Sequence, residues 1–150
     1  MAKRTYSTIL LFAETSEGGM KAARDAIHLA ADEGATLIAA AVVDTNTLKQ
    51  LLTYRIFVQD EMEEYERELE ESCRKQLNYI AQLADEAGVT NRTVLLRGAC
   101  HSVLIQEQKA RAADLLVMGA FRATTTKRDL VAHEKQLIID EIPCPVLLVR

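Results

Sequence analysis

The chain has no tryptophan, only two prolines and six glycines, and three cysteines in 150 residues. Each scarcity excludes something. Cys73, Cys100 and Cys144 are odd in number and never form a Cys-x-x-Cys pair, so neither a disulfide framework nor a zinc site is expected, and a reducing cytoplasm fits. No stretch approaches the ~18 apolar residues of a membrane span. The opening MAKRTYSTILLFAE lacks the long apolar core and small-residue cleavage site of a secretory signal, so a cytoplasmic protein without a membrane partner is expected. Basic residues are outnumbered, 18 against 22 acidic, for a net charge of −4. Without clustered cations to displace phosphate counterions, nucleic acid is not an expected partner. The Gly-x-Ser-x-Gly elbow, the dinucleotide Gly-x-Gly-x-x-Gly and the His-x-x-x-His metal spacing are missing too, and no metal site is expected.

What is present is an alternation of short β-type runs with longer helical ones, without linker, repeat or low-complexity tract. STILLFA (7–13) reads as a buried strand. Ser16 is placed to cap a helix over 18–33, where Ala22, Ala23, Ala26, Ile27 and Ala30 recur at helical spacing and Gly34 stands at the C-cap. ATLIAAAVVD (35–44) is a second strand, its small residues suited to close helix packing, whereas residues 45–59 give no clear periodicity. A long helix over 60–87 carries the stripe Met62, Tyr65, Leu69, Cys73, Leu77, Ile80, Ala84 and Ala87, and Gly88 ends it. Strand 92–98, helix 102–112, strand ADLLVMG (113–119), helix 133–142 and strand 145–150 complete the series. Strands so apolar, separated by helices, predict an α/β fold: a single-domain, doubly wound, five-stranded parallel sheet with helices on both faces. Ligands of such sheets sit beyond the carboxyl ends of the strands, which directs attention to loops 14–19, 44–59, 98–101 and 119–133.

TILLFAETSE, AAVVD, LLRGACHSVLIQEQKARAADLLVMGA and IPCPVLLVR resemble, in this order and along nearly the whole chain, the universal stress protein family. The resemblance implies an adenine nucleotide alpha hydrolase-like fold and a homodimer. In nucleotide-binding members the loop after the fourth strand carries Gly-x-x-Gly, nine residues, then Gly-Ser or Gly-Thr, so that main-chain N–H groups converge on phosphate at a helix N-terminus. Laid on this chain, the pattern keeps Gly119, just after Met118, but meets Arg122, Ala132 and His133 at its other positions. An Asp expected just beyond the first strand is Glu14, followed by Thr15, while Val42 keeps the apolar position near the adenine. The departures disfavour the family's way of holding ATP. The expectation is therefore a non-enzymatic, stress-response binding or regulatory homodimer with no cofactor. The alternative is an ATP- or Mg-dependent nucleotide site with a remodelled loop, using Arg122, Lys127, Arg128 and His133 as phosphate ligands.

Other features have plainer readings. Cys100-His101 invites a thiolate–imidazole pair, but no third orienting group is evident and a structural role is favoured. His28 reads as a surface residue. DEMEEYERELEES (60–72) holds eight acidic residues within twelve positions, which a solvated helix face explains, with docking of a basic partner as the alternative. LLTYRIFV (51–58) reads as packing over the sheet edge, with a surface for a lipid-like ligand or a partner as the alternative if the patch is exposed. The last strand leaves an open edge, and the resemblance implies that Val146, Leu147, Leu148 and Val149 meet their own copies about a two-fold axis.

Overall fold

The computed structural model describes residues 5–54, 58–120 and 126–150, with the side chains of 47, 51 and 126–131 outside the described set. Ten elements follow in order: β1 (Thr8–Phe12), α1 (Glu17–Glu33), β2 (Thr36–Asp44), α2 (Thr45–Thr53), α3 (Gln59–Glu86), β3 (Asn91–Gly98), α4 (Cys100–Arg111), β4 (Leu115–Gly119), α5 (Thr126–Glu141) and β5 (Val146–Val149). The five strands form one parallel sheet in the order β3-β2-β1-β4-β5. The predicted fold is therefore the observed one.

Both faces of the sheet are covered, and the side-chain period of two explains why its strands read as unbroken apolar runs. Ile9 and Leu11 of β1 join Leu37, Ala39, Ala41, Leu115 and Val117 in the core under α1 and α3. Leu10 and Phe12 point the other way, joining Ile38, Ala40, Leu116 and Met118 under α4 and α5. Register enforces this sorting, because Leu10 pairs with Ile38 on one side and Leu116 on the other. Burying a Leu or Ile side chain stabilises by about 1.5–3 kcal/mol, and nearly all of these are fully buried. At the amino ends of the strands, Asp114 accepts from the backbone N–H groups of Ser7 (2.9 Å) and Thr8 (3.1 Å), tying the start of β1 to β4.

The α1 signals act as expected. Ser16 caps the helix by accepting from the Gly19 N–H at 3.0 Å, and Gly34 closes it with φ 65°. Elsewhere the elements depart from the sequence reading. Residues 45–53, which showed no clear periodicity, are helical, and of the apolar segment after them Tyr54 and Val58 are exposed while 55–57 lie outside the described residues. In α3 the inward stripe is Met62, Cys73, Leu77, Ile80 and Ala84; Tyr65 is 42% exposed and Ala87 lies beyond the helix end. The largest difference is in α5, which starts at Thr126 rather than 133. The segment TKRDLVA has neither glycine nor proline to delay winding.

Candidate functional site

The chain turns back at β1, laying β2 and β3 on one side and β4 and β5 on the other. The crevice between the carboxyl ends of β1 and β4 is the switch point at which open α/β sheets take ligands. Glu14 enters it from the turn after β1, Gly119 forms its far lip, and Lys135 reaches down from α5.

Lys135 stands one turn before Ile138 on the inward face of α5, and it is buried to 7% exposure. Its ammonium lies 2.7 Å from Glu14 Oε2 and donates to the Gly119 carbonyl at 3.1 Å. The other carboxylate oxygen, Glu14 Oε1, is buried with no hydrogen-bond partner among the described residues. Space here is tight: a Cβ added to Gly119 would stand 3.3 Å from Glu14 Oε1 and 3.3 Å from the Gly18 carbonyl oxygen. Behind Glu14, the amide of Gln76 on α3 donates to its main-chain carbonyl, fixing the turn from the opposite face.

A second polar contact lies alongside. Helix α4 begins after Ala99, which offers no side-chain cap. Glu134 supplies one from α5, accepting from the His101 N–H at 3.1 Å while the same oxygen stands 2.7 Å from His101 Nδ1. A third group therefore does orient the imidazole, contrary to expectation, and it ties α5 to α4. The Cys100 thiol is not activated. Burial pushes its pKa well above the ordinary value, with nearby Asp44, Glu134 and Glu14 acting in the same direction. The structural reading of Cys100-His101 stands.

The sequence-predicted positions are dispersed. Val42, partly buried, and Met118, fully buried, share the apolar floor on the α4–α5 side. Thr15 is exposed and, with Ser16, Met20, Arg24, Gln76 and Tyr79, lines a shallow groove of about 530 Å³ between α1 and α3, on the other face of the sheet. Ala132 is partly buried and His133 exposed, both within α5 rather than in a loop. Arg122 and the side chains of Lys127 and Arg128 lie outside the described residues. Lys135, Glu134 and Gln76 escaped the sequence reading. For Lys135 a signal existed, a lysine at helical spacing from Ile138 and Ile142 on an otherwise apolar stripe.

His28 is exposed, as expected, and the acidic face of α3 is partly neutralised within the chain. Arg97 of β3 pairs with Glu66 (3.0 Å) and Glu70 (2.5 Å), Arg74 with Glu70 (3.0 Å) and Lys75 with Glu71 (3.5 Å). None of the described helices is long and apolar enough to cross a membrane.

Comparison with known proteins agrees with the fold. Residues 5–150 match the universal stress protein family. Universal stress protein MJ0531 of Methanocaldococcus jannaschii is 28% identical over 145 residues, covering 97% of this chain and 82% of that protein. Among solved structures, the hypothetical protein MJ0577 superposes with a TM-score of 0.73 at 19% identity, covering 96% of this chain and 95% of the other. A universal stress protein in complex with cAMP gives 0.68 at 20% identity, with 97% of each chain covered. The chain belongs to the universal stress protein family.

Proposed function

We propose that this member of the universal stress protein family acts by binding, as a cytoplasmic homodimer in the stress response, and does not hold or turn over ATP. One observation carries the reading. With α5 wound from Thr126, Ala132 and His133 are its seventh and eighth residues, nearly two turns in. Only the first four N–H groups of a helix are free. Those of Ala132 and His133 donate to carbonyls four residues back, so the main-chain donors that the phosphate pattern needs there are already spent. The charge of Glu14 is likewise engaged, by Lys135. Titrating the purified protein with ATP and Mg²⁺ in a calorimeter is expected to give no binding heat; binding at micromolar concentration would overturn the proposal.

The second reading keeps a nucleotide in the crevice, supported by the structural neighbour that holds cAMP and by the basic residues Arg122, Lys127 and Arg128 around the start of α5. It expects nucleotide to co-purify, to be released by heat, and to be lost on Arg122→Ala.

A further inference from the structure

We infer that the groove between α1 and α3, on the face of the sheet opposite the crevice, is a second ligand site, and that it takes a small aromatic carboxylate. The site is independent of what the crevice holds.

The two helices run in the same direction, since each leaves the carboxyl end of one strand and returns to start the next parallel one. That lays the groove out in layers. In the middle, Gln76 of α3 meets Met20 of α1, its amide nitrogen 3.7 Å from the Met20 sulfur. One turn back along the helices stand Ser16, Glu17 and Ser72; one turn on stand Arg24 and Tyr79, with Lys75 also on the rim. The middle offers a ligand no ready hydrogen bond, because the Gln76 amide already donates to the Glu14 carbonyl and its oxygen is buried. What remains is the Met20 thioether and, beyond it, the Tyr79 ring, 46% exposed. Both suit an aromatic ring. Charge lies towards the ends. Arg24 is exposed and pairs with no carboxylate among the described residues. Lys75 holds only Glu71, at 3.5 Å, with both side chains mostly exposed. Glu17, the rim's own carboxylate, is two turns before Arg24, about 10 Å along α1. The Arg24 end is therefore locally positive in a chain of net charge −4. A guanidinium fork matches a planar carboxylate, and the groove's volume of about 530 Å³ is that of a small-molecule site. An anion seated with its ring on Met20 and Tyr79 and its carboxylate on Arg24 uses every part of this layout.

The test titrates the intact protein with 3-phenylpropionate, 3-phenylpropan-1-ol and 3-phenylpropylamine, which share a ring and stem and differ in charge, while amide NMR spectra are recorded. The carboxylate should give saturable shifts at Met20, Arg24, Gln76 and Tyr79, with a dissociation constant on the order of 1 mM. The Thr15 amide should shift too, because it shares a peptide unit with the carbonyl that Gln76 holds. The alcohol and the amine should bind at least about tenfold more weakly. Arg24→Gln and Tyr79→Ser, both changes at exposed residues, should each weaken the carboxylate about fivefold or more. Lys21→Gln, the same loss of charge on α1 but outside the groove, should leave binding unchanged. The inference is overturned if the carboxylate gives no saturable shifts at these amides, if the alcohol or amine binds as well, or if Lys21→Gln weakens binding as much as Arg24→Gln. The comparison of the three compounds on the intact chain decides the matter even where a variant does not fold.

Discussion

A lysine and a glutamate held 2.7 Å apart, at 8% and 16% side-chain exposure, are costly to assemble and costlier to separate. Desolvation offsets most of their attraction, so the pair adds little net stability, yet removing one partner strands a charge in a poorly hydrated place. Lys135→Met is therefore expected to lower the free energy of unfolding by about 3–5 kcal/mol in urea titrations, and the Glu14→Gln/Lys135→Met double variant to recover most of that loss. If the single and double variants were equally unstable, the pair would not be the cause. Cys100 obeys the same physics. Burial raises its thiol pKa, so thiolate is scarce near neutral pH and alkylation of the folded protein should be slow, quickening only as the pH rises or the chain unfolds. Mass spectrometry after iodoacetamide treatment checks this, with unfolded protein as the fast reference.

Among the elements, α1 shows how finely its start is fitted. A Cβ on Gly18 would meet nothing closer than Ser16 Oγ at 4.0 Å, whereas one on Gly19 would lie 2.0 Å from the Glu14 carbonyl oxygen. Gly18→Ala should be neutral or stabilising by up to about 1 kcal/mol through helix propensity. Gly19→Ala must push the helix off the turn that carries Glu14, and should destabilise far more. Thermal melts of the two variants settle the contrast. The α3–β3 contact has a pH signature instead. Hydrogen bonds from Arg97, then Arg74, hold the Glu70 carboxyl below its ordinary value. Its contribution is present above the unfolded-state value and fades as pH falls through the folded one, so acid sensitivity in that range should diminish in Arg97→Ala.

These elements also show what a sequence can announce. Ser16 and Gly34 are local chemistry, and both ends of α1 were legible from them. Strand runs such as ILL and LLV were legible because a sheet buried on both faces admits little else. The start of α5 was not, because a family pattern was laid over residues whose own preference is helical. The crevice was half legible: Glu14 and Gly119 stood out, while Lys135 and Gln76 arrive from 16 and 62 residues away through tertiary packing. Tyr65 had the right spacing for the core but is exposed, while Met62 before it is buried and Leu69 after it packs against the core.

For the whole molecule, the sheet has two edges, and they are finished differently. β3 sets exposed Arg92 and Arg97 along its length, charges that deter another strand from pairing there. β5 has no charge between Val146 and Val149, and Leu147 and Leu148 are each 40% exposed at its open edge. An uncharged apolar edge beside a guarded one marks the side on which a second copy would complete the sheet, in a self-complementary contact about a two-fold axis. Expected, then, is a dimer in sedimentation equilibrium, converted to monomer by Leu147→Glu/Leu148→Glu without loss of helical circular dichroism, because neither side chain belongs to the core clusters. Arg92→Glu, on the other edge, should leave the dimer intact. A dimer surviving the leucine changes would place the contact elsewhere and leave β5 an edge guarded only by its short length of four residues.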